Sequence, residues 1–429
     1  NEGDFMKLLF LIFCITFLSF DLMAMGPRNL LVSTKVTEDK ANTEIWMHPN
    51  KLFTDRSMNL KNFIFSNENL KDWRKSFDMM TAFQIHLQSL QSYPSDKFSR
   101  LQIETLKKAN KETYLTTGGL SQASCNEAKN NCIDNGGNGN YDDPSCKPYF
   151  DQIGKSSAQL TIQNIEQYFR IDGVLKLDGL SLDGGMKRAM ACQPNQSGSH
   201  CNNNCKFPVM KAVEQMAIYF QTIKGVYPEI QLDYVFNFIN WRYSIDPAGR
   251  NIVESLRGPG RSHGQDTDLR PVIAKLVSEM EKRGVRLDSI SNEGGALFYS
   301  NQNFDPNYPA GEFIPWWPRL VALRKQTDRL GIKTHQAINV TTGMNDCSQF
   351  VGTRAYTRCA TNRDATALDA TIEFLNSYRT HMTRAGLSEN AEIMDTMQWK
   401  EIPENPLSED TPNSFMNMFY NQMTKVLNH

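Results

Sequence analysis

The sequence lacks any charge imbalance: 46 Lys+Arg face 47 Asp+Glu across 429 residues, a formal net charge of −1. Phosphate backbones are held by basic surfaces, so no nucleic-acid partner is expected. There is no CxxC pair, no HExxH, no Walker loop and no GxSxG elbow. These absences remove support for P-loop nucleotide chemistry, zinc peptidase chemistry and serine esterase chemistry. No proline-rich linker divides the chain, and after residue 20 no apolar run is long enough to span a bilayer. What remains is ordinary globular composition, 40% hydrophobic and 22% charged. That is enough apolar material for one large core, and too much for a disordered chain.

The amino-terminal stretch reads as an export signal. Met6-Lys7 precedes a short run from Leu8 to Phe20, almost all Leu, Ile and Phe, closed by Asp21. One basic residue before a short apolar stretch is the secretory pattern. Asn1–Phe5 stand upstream of the expected start, and cleavage is expected near Ala24 or Gly26. An uncleaved anchor is the alternative. The expected organisation is therefore 1–26 as signal and upstream residues and 27–429 as one domain with a loop insertion at 121–157. A secreted or periplasmic protein of bacterial origin, with no membrane contact after cleavage, follows from this reading.

Cysteine usage agrees with export. Setting Cys14 aside leaves an even eight: Cys125, Cys132, Cys146, Cys192, Cys201, Cys205, Cys347 and Cys359. They fall in three Gly/Asn/Ser-rich stretches that read as loops, which suits structural disulfides in an oxidising compartment. Local pairs such as Cys347 with Cys359 are expected, although spacing does not fix connectivity. The run 134–143 (DNGGNGNYDD) has calcium-like spacing at Asp134, Asn138, Gly139, Asn140 and Asp142. Gly136 nevertheless takes a ligand position and no Glu closes the loop. No metal and no other cofactor is expected.

From residue 60 onward one pattern repeats: a β-rich run ends in polar or Gly residues, and an amphipathic stretch follows. The β-like runs are 81–90, 113–120, 173–184, 230–239, 285–295, 332–343 and 391–399, with 62–66 as an eighth candidate. Between them, 100–110, 158–169, 209–223, 269–283, 317–330 and 367–384 carry apolar residues at three- and four-residue spacing, the helical signature. Arg283-Gly284, Leu330-Gly331 and Ala385-Gly386 place Gly where a helix C-cap requires it. Strand and helix in regular alternation predict a parallel sheet. Seven or eight such units predict a (β/α)8 TIM barrel with long disulfide-pinned loops; a doubly wound sheet is the runner-up.

The layout resembles secreted bacterial TIM-barrel proteins related to glycoside hydrolases. Trp73 leads into TAFQIHLQSL as the first barrel strand of that group, and TYLTTGGL stands where its second strand lies. The closing segment MQWKEIPENPLSEDTPNSFMNMFY matches at Trp399, Pro403, Leu407, Glu409, Pro412 and Phe415. The third strand departs, with Asp178-Gly179 and Asp183-Gly184 where an acidic-Pro pair is expected. The resemblance implies a carbohydrate substrate or ligand.

In a barrel, chemistry sits at the C-terminal strand ends. The residues expected there include His86, Thr116, Asp178, Asp183, Asn237, Asn240, Asn292, Glu293, Asp395, Gln398 and Trp399. Glycosidic cleavage needs two carboxyl groups across the sugar, one protonating the leaving oxygen and one attacking or activating water. Glu293 in SISNEGG is the expected proton donor, and Asp178, as the last inward residue of VLKLD, the expected partner; Asp183 and Asp395 are substitutes. His86, Asn237, Trp241, Asn292, Gln398 and Trp399 are expected to hold sugar, through hydrogen bonds and ring stacking. The aromatic run 298–318 reads equally as a saccharide groove or a hydrophobic plug. The competing reading is a catalytically inactive barrel that binds glycan or a protein partner through its loops. A phosphodiesterase, needing a metal and a second His at the mouth, is weaker. Oligomeric state is not legible.

Overall fold

In the computed structural model eight parallel strands close into a barrel: β1 Ile45–Met47, β2 Ala82–His86, β3 Glu112–Thr117, β4 Gly179–Asp183, β5 Gln231–Asn237, β6 Ser289–Gly294, β7 Lys333–Ile338 and β8 Glu392–Asp395. The structure describes residues 45–47, 70–92, 96–191, 204–253, 267–294, 316–338, 363–387 and 392–395, with isolated positions between 410 and 424. Each strand pairs with its sequence neighbours, and β1 closes the ring through Trp46↔Met394 and Trp46↔Ala82. The fold is the expected TIM barrel.

Helices fill the crossovers: α1 Arg74–Met79, α2 Asp96–Lys108, α3 Gln122–Asp134, α4 Ile153–Phe169, α5 Val209–Val226, α6 Leu269–Glu281, α7 Trp316–Arg329 and α8 Arg363–Arg384. Gly284, Gly331 and Gly386 follow α6, α7 and α8 at φ of +70°, +65° and +70°. This left-handed C-cap, cheap only for Gly, was legible beforehand. The apolar helix faces and the outward strand residues form one core, with Phe77, Leu106, Phe220, Leu276 and Leu323 on the helix side and Phe83, Leu115, Leu180 and Ile290 on the strand side.

Side chains alternate along each strand, and the contacts fix which set points inward. Tyr234 on β5 meets Phe220 of α5. Its neighbour Asp233 instead bonds Ser181 of β4 and Ser289 and Ser291 of β6 inside the barrel. At the barrel floor Trp46 lies against Tyr114 of β3 and His335 of β7, with ring centroids 4.3 and 4.4 Å apart. Gly179 makes room for that floor: a β-carbon there would stand 2.1 Å from the Tyr114 ring.

Three sequence expectations change. The run beginning at residue 81 supplies the second strand, not the first; β1 is a three-residue segment too short to show alternation. The insertion 121–157 is not all loop, because α3 occupies its first third, capped by the Ser121 hydroxyl accepting from the Ala123 amide. Two disulfides are described, and Cys125–Cys205 joins two of the cysteine stretches while Cys132–Cys146 lies within one. Cys192, Cys201, Cys347 and Cys359 lie outside the described residues, as does the run 62–66. No described helix is long and apolar enough to cross a membrane.

Candidate functional site at the barrel mouth

Because all strands are parallel, their C-terminal ends form one rim. His86 ends β2, Asp183 ends β4, Asn237 ends β5 and Asp395 ends β8. Glu293 is the penultimate residue of β6, paired in register with Asn237 and Ala337. It continues the i, i+2 series of Ser289 and Ser291, the inward series of β6. The side chains of Glu293 and Asp395 lie outside the described features.

His86 and Asp183 form an electrostatic unit. Asp183 is exposed, yet the protein packed around it pushes its carboxyl above the ordinary carboxylate range. His86, Lys187 and Arg188 pull it back without reversing the direction. Burial also holds the His86 imidazole below its ordinary value, with Asp183 opposing and Arg188 reinforcing. The Gln88 amide donates to His86 Nδ1 at 3.3 Å. A neutral ring that accepts at Nδ1 carries its proton on Nε2. The pair thus favours a neutral imidazole and a carboxyl with raised proton affinity.

One layer below, Asp233 is fully buried and organises the barrel centre. Ser289 and Ser291 donate to its Oδ1 at 2.7 and 2.8 Å, and Ser181 to its Oδ2 at 2.7 Å. Gln84 Nε2 donates to Ser181 Oγ at 3.0 Å, and His335 Nδ1 lies 3.7 Å from Asp233. Gln84, Ser181 and Ser291 each sit two residues below His86, Asp183 and Glu293. The layer therefore ties together the strands that present the mouth. Near the rim, Thr116 Oγ1, Asn237 Oδ1 and both amide atoms of Asn240 are buried with no hydrogen-bond partner among the described residues.

Several expected site residues lie elsewhere. Asp178 precedes β4 and sits at the opposite, N-terminal end, because the run 173–184 begins with a hairpin (Arg170–Ile171 against Val174–Leu175) and only then enters the barrel. Its carboxylate accepts from Lys107 Nζ at 2.6 Å and the Thr113 amide at 2.7 Å, a structural clasp on the barrel floor. Asn292 has the parity opposite to Ser291 and is buried on the helix side, donating to Gln336 at 2.8 Å. Trp241 is 5% exposed, packed against Phe236. Its carbonyl accepts from Arg319 Nη2 at 2.6 Å, and that guanidinium lies 4.5 Å from the Phe238 and Trp316 ring centroids. Asp178 thus lies at the end opposite the rim, and the side chains of Asn292 and Trp241 are buried outside the barrel interior. Trp316 and Trp317 are buried in α7, which fits the plug reading for that pair. Gln398 and Trp399 lie outside the described residues. In the run 134–143, Asp143 is spent on local turn bonds, accepting from the Asn138 and Ser145 amides.

Sequence reasoning missed Asp233, Lys187 and Arg188. A lone acid inside the apolar run QLDYVF was the available signal for the first. The two cations follow Asp183-Gly184-Gly185 in a loop whose folding no periodicity reveals.

No protein-family model matches the chain, and no curated protein sequence does. Among solved structures it is similar to the endo-beta-1,4-mannanase from Thermotoga petrophila, with 11% identity and TM-score 0.45 over 91% of this chain and 78% of that one. It is also similar to the catalytic domain of a hyperthermophilic chitinase from Pyrococcus furiosus, at 10% and 0.40 over 89% and 95%. Xylanase B from Clostridium stercorarium F9 gives 11% and 0.38 over 82% and 85%. Likeness at this level decides neither substrate nor mechanism.

Proposed function

We propose that this barrel is a secreted glycoside hydrolase of bacterial origin whose two carboxyl groups are Asp183 and Glu293. The observation that carries the reading is Asp183: an inward carboxyl at the mouth, with raised proton affinity, beside a neutral imidazole and unpaired amide and hydroxyl groups. Strands β4 and β6 flank β5, and Glu293 stands one inward step higher than Asp183 in the register. The two Cα atoms are then about 12 Å apart from standard strand spacings.

The raised proton affinity assigns Asp183 the donor role. That reverses the order expected from sequence and leaves Glu293 as base or nucleophile. His86 Nε2–H, Asn237, Asn240 and Thr116 are assigned to sugar hydroxyls, with Gln398 and Trp399 as further contacts. The two disulfides suit an oxidising compartment, in line with export.

The test is reducing-sugar release from a panel of bacterial and host polysaccharides. General acid–base catalysis contributes about 10²- to 10⁴-fold, so Asp183→Asn and Glu293→Gln are each expected to lose that much rate. Asp178→Asn, altered at the barrel floor, is expected to retain it. If Glu293→Gln keeps its rate, the second carboxyl moves to Asp395. Release from no substrate by the wild-type protein would refute the hydrolase reading and leave a glycan- or protein-binding barrel.

A further inference from the structure

The loop that follows β4 carries an observation the proposed chemistry does not use. Residues 184–191 are pinned at nearly every step. The Gly184 amide donates to the Val235 carbonyl, Leu120 to Gly185, Met186 to the Tyr234 hydroxyl, and Ala189 to Met186. The Ala191 amide donates to the Phe207 carbonyl and the Phe207 amide to the Ala189 carbonyl, and Cys205, two residues before Phe207, is tied to Cys125. This well-held loop presents Arg188 at the mouth.

The Arg188 guanidinium lies against the Gly118 backbone, just past the end of β3; a methyl at Gly118 would stand 3.3 Å from its central carbon. The side chain is exposed, and it is close enough to Asp183 and His86 to act on both electrostatically. Among the described residues it makes no ion pair and no side-chain hydrogen bond. Other cations of this chain do pair: Lys107 with Asp178, Arg170 with Glu166, Lys211 with Asp151, Arg283 with Glu279. A guanidinium on a well-held loop beside Asp183 and His86, with no partner among the described residues, is a ready partner for a planar anion. Its fork matches both oxygens of a carboxylate, a geometry that a single neutral hydroxyl cannot satisfy bidentately.

We propose that Arg188 is the carboxylate-binding residue of this site and that the substrate is an acidic polysaccharide whose uronate group pairs with it. The proposal rests on the carbohydrate reading above and names the substrate class. Gly118 is part of the device, because a β-carbon there would press on the guanidinium and make it give by a few tenths of an ångström.

The experiment is calorimetric titration of the oxidised full chain with uronate tetrasaccharides from pectin, alginate and hyaluronan. Each is run against its carboxyl-reduced neutral form, with a chondroitin sulfate tetrasaccharide as the sulfated arm. At least one uronate ligand is expected to bind and to weaken roughly ten- to hundred-fold on carboxyl reduction, the range of one charge-assisted bidentate contact. Arg188→Gln should weaken the uronate ligand by a similar factor and leave the neutral form unchanged. Arg188→Lys should recover only part, since it restores charge without the fork. The idea is overturned if no uronate binds, if neutral and acidic forms bind alike, if Arg188→Gln has no effect, or if only the sulfated ligand binds. Arg188-dependent uronate binding without bond cleavage would sustain this proposal while defeating the hydrolase reading. Cleavage confined to neutral glycans would do the reverse.

Discussion

Replacing Asp233 with Ala should be the most damaging single change in the barrel interior. The carboxylate is 0% exposed and accepts from Ser289, Ser291 and Ser181 at 2.7 to 2.9 Å. Truncation orphans three hydroxyl donors at once. Ser181 keeps the amide donated by Gln84 but has nowhere to send its own proton. Each orphaned buried donor costs about 1–3 kcal/mol, a gross loss of roughly 3–9 kcal/mol. Two effects reduce it: the desolvation cost of a buried carboxylate disappears, and water can enter the vacated polar space. The expected net loss is about 3–5 kcal/mol, a large share of the about 5–15 kcal/mol that folded domains possess. Asp233→Asn keeps the shape and can still accept through its oxygen and donate to serine oxygens, so it should lose about 1–2 kcal/mol. Urea unfolding followed by far-UV circular dichroism measures both, with the slope checked for constancy. A loss below about 1 kcal/mol for Ala, or equal losses for Ala and Asn, would refute the account of Asp233 as a satisfied acceptor. The same variants report on function, because Ser181 and Ser291 lie directly beneath Asp183 and Glu293.

Two further outcomes are expected. Glu279 accepts from Lys275, Lys282 and Arg283, and these bonds hold its carboxyl at about 2 against an ordinary 4.5. Its folded-state value is depressed, so its contribution is complete above about pH 4.5 and fades as pH falls toward about 2; the stability gap between wild type and Glu279→Gln should close over that window, and a gap independent of pH would contradict it. Cys125–Cys205 spans 80 residues and Cys132–Cys146 spans 14; loop-closure entropy then makes paired Ala replacement of the first cost about 4.5 kcal/mol against about 3 kcal/mol for the second, and the reverse order in denaturant midpoints would show that native packing outweighs chain entropy here.

Much of this architecture was written in periodicity. Amphipathic spacing in VMKAVEQMAIYFQTI and LRPVIAKLVSEMEKR decides which helix face is buried whatever it meets, and Gly284, Gly331 and Gly386 end helices because only Gly takes positive φ without cost. Alternation of strand and helix was enough to call the barrel. Strand ends were not legible, because a strand stops where pairing stops. Asp178 and Asp183 are five residues apart, and both precede Gly. Only the register against β3 and β5 sends one to the barrel floor and the other to the mouth.

Inward or outward parity is likewise a property of the closed sheet, which turned Asn292 away from the mouth and left Trp241 under Arg319. Asp233 shows the limit most directly. The three hydroxyls that donate to it lie 52, 56 and 58 residues away in the chain. Sequence by itself determined most of the elements and the class of the fold, since local periodicity and caps act within a few residues, but not the three-residue β1 or the helix α3. Tertiary structure alone decided which strand ends share the rim, which cation lies beside Asp183 and which side chains point into the barrel, since those depend on strands brought together from distant parts of the chain.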